Sequence, residues 1–332
     1  MRFLKVFFGA AVVFSVAFTV FFGSGKIAEN RELIESPEYK KILTVWQIDS
    51  FEGGTGSRRQ FLSSRANEFS KENKGVLFLI TAHTKESAEE NFKNGVYPDV
   101  LSFGGGIVPT GATELPVDYF FKGGALGGKV YATPWCRGGY ALIKHGKFSS
   151  LTAETDKKIP SLIVSQGEYT MPLMAVFCGG YEIEKYETYK PTDAYGNFVL
   201  GKTPYLLGTQ RDIMRLRARG ESFSFSAVEG FCDLYQYVAI TCKDENKIAT
   251  ATEFISYLLS EKSQCELSSI AMLPVNKKVK PIEELKSLFD ADVSLTASAF
   301  LSETEIKEIN GDLKGFFGGD KSLYTKIKNV AI

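Results

Sequence analysis

Between residues 41 and 103 the chain alternates short, continuous apolar runs with longer stretches of helical periodicity. Residues 42–48 (ILTVWQI) are a β-branched run that ends at a glycine-rich stretch, 49–56 (DSFEGGTG), the pattern of a buried strand and its following loop. Residues 57–72 place Phe61, Leu62, Arg65, Ala66 and Phe69 on one face, as an amphipathic helix does, and Gly75 stops it. A second apolar strand is predicted over 76–82 (VLFLITA), a short charged helix over 85–94 closed by Gly95, and a third strand over 100–103 opened by Pro98-Asp99. Strand, helix, strand, helix, strand is the order of a parallel sheet with helices on its faces. Ligands of such open sheets bind at the carboxyl ends of the strands. Here those ends are 49–56, His83-Thr84 and 104–111, all polar or glycine-rich.

The pattern loosens afterwards. A Gly- and Pro-rich stretch, 104–128, reads as a linker, and 129–143 (KVYATPWCRGGYALI) starts and ends as strand. Residues 150–200 are mixed. A helix is predicted over 209–220, with Thr209 as N-cap and Gly220 as stop. A strand follows over 233–241, and a helix over 248–259 buries Phe254, Ile255, Leu258 and Leu259. Pro281 marks a further first turn, and Ser302-x-x-Glu305 is a capping box. There is no internal repeat.

The first residues stand apart from this pattern. Arg2 and Lys5 precede an uncharged apolar run of about 18 residues, 6–23, the make-up of an export signal. Residues 1–25 are read as a signal peptide or signal-anchor and 26–40 as a polar spacer. The length of the run favours an uncleaved anchor, with the body exported and the basic end inside. The body is then extracytoplasmic, tethered to the cytoplasmic membrane or secreted after cleavage. Lys+Arg and Asp+Glu both number 39, and that balance argues against a nucleic-acid partner. The five cysteines, Cys136, Cys178, Cys232, Cys242 and Cys265, are widely spaced without a CxxC, so zinc and redox motifs are not indicated and buried free thiols are expected. No cofactor is implied.

Five segments, in order, resemble extracellular solute-binding proteins of the carbohydrate type, the family that contains maltose-binding protein. KILTVWQIDSFEGG is similar to that family's first strand and ligand-side loop, and YPDVLSFGGG to its third strand. KVYATPWCRGGYALI resembles the segment where the chain first crosses between lobes. FVLGKTPYLLGTQRDI and FISYLLSEKSQCELSSIAMLPVN resemble the second-lobe segment and the helix pair before the last crossing. The resemblance covers roughly residues 41–280; the lipobox cysteine of many members is missing and the last 50 residues match poorly. It implies an α/β fold of the periplasmic-binding-protein-like type II class, two α/β lobes joined by crossing hinge strands. Lobe 1 is placed at 41–136 and 238–273, and lobe 2 at 137–237 and 274–332. It also implies a small-molecule ligand, a carbohydrate, and ABC permease subunits as partners.

Candidate ligand residues follow from strand ends and crossings. Asp49, Phe51, Glu52 and Gly53 sit between a buried strand and a helix N-terminus, where carboxylates can accept from sugar hydroxyls; a tight turn with a helix cap is the plainer reading. Ser102 and Gly104 end the third strand. Trp135 and Arg137 flank Cys136 at the first crossing, an aromatic face and a fork of donors. Gln210, Arg211 and Asp212 open a helix after a strand. Tyr235, on the second crossing with Tyr237, is assigned to the ligand and Tyr237 to the interior. Trp46 reads as core and His145 as a surface residue. No HExxH, GxSxG or cysteine-ligand cluster occurs, so an enzyme is not expected. A membrane-tethered sensor or adaptor on the same fold is the alternative to an importer's receptor.

Overall fold

The computed structural model describes residues 39–150 and 157–332. The signal or anchor read at 1–25, and the spacer as far as residue 38, lie outside the described residues. Lys41–Ile332 forms one unit built on two five-stranded sheets.

The first sheet begins as its apolar runs predict. Strand β1 (Lys41–Ile48) is followed by helix α1 (Arg58–Glu72), strand β2 (Val76–His83), helix α2 (Lys85–Lys93) and strand β3 (Val100–Phe103). β1 pairs in parallel with β2 on one side and β3 on the other. The chain then adds β4 (Thr133–Arg137) and leaves for the second sheet, which holds β5 (Tyr140–His145), β6 (Leu162–Ser165), β7 (Tyr186–Tyr189), β8 (Tyr205–Thr209) and β9 (Phe223–Ala227). Helix α3 (Pro172–Cys178) lies between β6 and β7, α4 (Pro191–Val199) follows β7, and α5 (Gln210–Ala218) follows β8. The chain returns as β10 (Tyr235–Ile240), antiparallel to both β3 and β4. The orders are β2-β1-β3-β10-β4 and β7-β6-β8-β5-β9.

Each sheet therefore has a run of parallel strands flanked by antiparallel ones. In each, loops leaving parallel strands lead into helix N-termini, after β1 and β2 in the first sheet and after β6, β7 and β8 in the second, so two sets of strand ends are available for a ligand. Of the caps that fix these entries, Thr209 was legible. Ser57 accepts from Gln60 N–H at the start of α1, and Thr209 and Asp212 make a capping box at α5.

Helix α6 (Glu245–Leu259) packs beside α1, with Phe69 edge-on to Phe254 at 5.6 Å. Its start lies three residues before the expected one, because Asp244 caps it. Helix α7 (Glu303–Phe317) opens with the expected Ser302–Glu305 capping box. Pro281 does not open a helix; a 3-10 turn begins only at Glu283. The segment after Leu273 touches both sheets' surroundings. Leu273 bridges to Arg137, Ser302 to Gly106, and Asn310 Nδ2 donates to the Thr170 carbonyl at 3.0 Å.

Two further expectations change. All five cysteines are free, but only Cys136 and Cys232 are buried, and Cys265 is exposed. His145 is buried rather than superficial: its Nδ1 accepts from Lys147 N–H and its ring meets Phe198 edge-on. Trp46 is buried as read, stacked on His83 at 4.2 Å. Among the described residues no helix is long and apolar enough to cross a membrane.

Candidate functional site

The ends of the parallel strands of both sheets converge on one cavity of about 480 Å³. From the first sheet come residues 49–56 after β1, and Arg58 in the first turn of α1. From the second come Gly167, Glu168 and Tyr169 after β6, Pro191 at the start of α4, and Arg211 in the first turn of α5.

On the first side, Arg58 organises the loop. Its Nε lies 2.9 Å from Asp49 Oδ1, its Nη2 donates to the Phe51 carbonyl at 2.5 Å, and its guanidinium stacks 4.3 Å from the Phe51 ring. Gln47 Nε2 holds the same Asp49 oxygen at 2.8 Å. Asp49 is nevertheless 60% exposed while Arg58 is almost wholly buried. The carboxylate is fixed from beneath and open above, as an acceptor awaiting donors is.

The two sides meet through Glu52 and Arg211, Oε1 to Nη1 at 3.0 Å, both partly exposed. A second contact comes from Tyr169, whose ring lies over the 104–106 loop of the first sheet. A Cβ at Gly106 would stand 2.6 Å from that ring, and Gly106 has a φ of +84°, so only glycine suits the position. Lys85 Nζ sits 5.0 Å from the Tyr169 ring centre and pairs with Glu303. Burial raises the Tyr169 hydroxyl's pKa, keeping it a neutral donor.

Behind Arg211, Asp212 is buried. Its Oδ2 accepts from Thr209 N–H at 2.9 Å. Burial pushes its carboxyl up to about 6, the Glu52 charge adds to the rise, and the Thr209 hydrogen bond opposes it. The wall thus offers three carboxylates, Asp49, Glu52 and Glu168, against Arg211 and the already engaged Arg58. Such a surface accepts hydroxyl donors at several points and donates at one.

Of the expected residues, Asp49, Phe51, Glu52, Gly53 and Arg211 line this cavity. The others stand elsewhere. Trp135 is fully buried, stacked on Phe61 at 5.5 Å, and its Nε1 donates to Ser102 Oγ at 2.9 Å. That bond, and another from Gln236 Nε2 at 3.1 Å, also occupy Ser102. Gly104 is packed under Ser50, whose Oγ would lie 1.8 Å from an added Cβ. Gln210 is buried at the crossing, accepting from Gly139 N–H at 3.1 Å, and Asp212 is held by its cap.

Arg137 and Tyr235 line a different cavity, of about 780 Å³, between the crossing strands and residues 289–294. Arg137 Nη2 donates to the Phe289 carbonyl at 2.9 Å. Tyr235 and Tyr237 are both buried, with rings 6.0 Å apart. Tyr235 faces that cavity, whereas Tyr237 is not among the residues that line it. Arg58, Gly167, Glu168, Tyr169 and Pro191 were missed. Arg58 carried a signal: a cation in the first turn opposes the helix dipole and needs another reason to be there. The 167–169 loop carried none, lying in the stretch of mixed pattern.

Two α/β sheets joined by crossing strands, with a cavity between their strand ends, are the periplasmic-binding-protein-like type II architecture. No family model matches the sequence, and no curated protein matches it. Solved structures do match in fold. The sugar-binding protein MalE of Xanthomonas citri aligns over 87% of this chain and 96% of its own, at 13% identity and a TM-score of 0.61. The maltose-maltodextrin binding protein of Alicyclobacillus acidocaldarius aligns over 87% and 98%, at 13% identity and a TM-score of 0.57. An ABC substrate-binding protein of Listeria monocytogenes, in complex with cycloalternan, aligns over 88% and 97%, at 13% identity and a TM-score of 0.54. At these identities the likeness is one of fold.

Proposed function

We propose that this chain is an extracytoplasmic solute-binding protein that captures a small polar ligand, a sugar or oligosaccharide, and delivers it to an ABC-type importer. The observation that carries the reading is the cavity lined from both sheets and spanned by Glu52 and Arg211. Solved proteins of this fold include sugar-binding ones by their own descriptions. Residues 41–136 and 238–273 form one lobe in this reading, and 137–237 with 274–332 the other. A ligand contacting both lobes stabilises their closed arrangement, because it binds that arrangement better than an open one. Asp49, Glu52 and Glu168 accept from ligand hydroxyls, and Arg211 exchanges part of its pairing with Glu52 for the ligand. The role is binding without chemistry. The first 25 residues direct export and hold the body at the membrane; sequencing the mature N-terminus tests that part.

The central test is a thermal-shift screen of the full-length protein against mono- and oligosaccharides, sugar phosphates and amino acids, with substrate turnover followed in parallel. A ligand at 100 times its Kd stabilises the folded state by about 2.7 kcal/mol, which moves Tm by several degrees. A shift with one saccharide class and no turnover supports the reading. A shift with amino acids only, or turnover of a saccharide, overturns it.

A further inference from the structure

A third cavity, of about 610 Å³, shares Gly167, Glu168 and Pro191 with the cleft and so continues it. Its far wall is α7, which contributes Lys307, Asn310 and Lys314, and Lys190 stands at its rim. Three lysines thus face one carboxylate, Glu168. Lys307 pairs with Glu303, whereas Lys190 and Lys314 have no acidic partner within ion-pair distance among the described residues. Lys190 is also the N-cap of α4 and makes no side-chain cap, leaving the positive end of that nine-residue helix open toward the cavity.

A second observation points to what the cavity holds. Asn310 is 94% buried by its 6% exposure, and its Nδ2 is fixed by the Thr170 carbonyl at 3.0 Å. That bond settles the amide's orientation and leaves Oδ1 buried with no donor. Gln166, which lines the cavity from the end of β6, also has a buried Oε1 without a donor. An orphaned buried acceptor is costly, and a ligand hydroxyl would satisfy it. Acceptors ask for hydroxyl groups and free ammonium groups ask for an anion. One class of molecule supplies both.

We infer that this cavity is a subsite for an acidic saccharide, one whose ring hydroxyls reach Asn310 and Gln166 and whose carboxylate or phosphate sits between Lys190 and Lys314. The inference rests on the carbohydrate reading of the cleft and names the ligand's charge. Neutral portions of the chain lie in the cleft beside Asp49 and Glu52; the acidic ring lies past Glu168.

Calorimetric titration of the full-length protein with maltotriose, trigalacturonate, trehalose 6-phosphate and inorganic phosphate tests it. The acidic saccharides are expected to bind at least tenfold more tightly than maltotriose, and the preference should shrink as salt rises. The double variant Lys190→Gln/Lys314→Gln should weaken the acidic saccharide by about tenfold and leave maltotriose within twofold. Both lysines are exposed, so the variant's unchanged Tm serves as the folding control. Trigalacturonate against trehalose 6-phosphate tells carboxylate from phosphate. Maltotriose binding as tightly as the acids, with no effect of the double variant, overturns the acidic subsite and leaves the carbohydrate receptor standing. Phosphate binding with no saccharide binding, or no binding of any probe, overturns both.

Discussion

Arg137 ends β4 at the first crossing and Arg211 lies in the first turn of α5 after β8, and each was expected to meet ligand. Arg137 is 7% exposed and gives Nη2 to the carbonyls of Leu288 and Phe289, with its ring neighbour Phe289 5.8 Å away. Arg211 keeps a side chain 35% exposed and reaches across the cleft to Glu52. Both are donors beside a cavity. The difference is where the donors already go: to backbone carbonyls, or to a partly exposed carboxylate that follows a strand of the other sheet. On the hinge side Arg137 is held through Nη2 by backbone carbonyls, while its buried Nη1 has no hydrogen-bond partner among the described residues. The cleft side holds its charges from below and leaves them open above.

The largest effect expected on this contrast is at Trp135. Trp135→Ala should lose about 3–5 kcal/mol of stability in denaturant melts, as large core truncations do, while the surviving folded fraction binds ligand with unchanged affinity. A loss of affinity without loss of stability would move Trp135 back to the ligand.

Next comes a pH effect from buried carboxyls on the two sides. Asp212, under the cleft, is pushed up to about 6 by burial, and so is Asp233, despite hydrogen bonds from Tyr140 and Met171 that oppose the rise. A carboxyl raised in the folded state binds its proton more tightly there than in the unfolded chain. Stability should therefore be highest at low pH with respect to these two groups and fall between about pH 4 and pH 6, then level off, each group contributing on the order of 2–3 kcal/mol. Asp212→Asn keeps an acceptor for Thr209 N–H and should flatten about half of that slope. An unchanged slope, read by urea melts at half-unit steps of pH, would show that burial does not set this carboxyl.

Gln210→Ala should cost about 1–3 kcal/mol, since the Gly139 N–H loses its buried acceptor. It should also alter interlobe motion little. The smallest stability effect belongs to the cleft. Glu52→Gln should change stability by less than about 1 kcal/mol, as partly exposed pairs do. It should nevertheless shift the unliganded protein toward a more open form, measured as a larger radius of gyration in X-ray scattering. Equal radii for both proteins would mean that Glu52 and Arg211 do not hold the lobes together.

Much of the architecture was legible because it is local. The runs at 42–48 and 76–82 and the caps at Thr209 and Ser302 announce strands and helix entries from residues within a few positions of each other. The first-sheet half of the cleft was legible for the same reason: residues 49–53 follow a strand and precede a helix. The second-sheet half was only partly so. Arg211 follows a strand of clear pattern, but Glu168 and Tyr169 follow Leu162–Ser165, a four-residue strand inside a mixed stretch. Trp135 and Tyr235 looked like ligand groups because they sit at crossings, and Gln210 because it opens a helix after a strand; both kinds of position have a buried side as well as an open one.

By itself, the sequence determined an α/β chain with one set of parallel strand ends, balanced in charge and carrying an apolar N-terminal run, because periodicity, capping and composition are properties of neighbouring residues. Only the tertiary structure decided which polar groups at those strand ends remain open. That depends on partners far along the chain, such as Phe289 for Arg137, Ser102 for Trp135, Gly139 for Gln210 and Glu52 for Arg211. A side chain's chemistry is written in its own residue; whether its donors and acceptors are already taken is settled by packing.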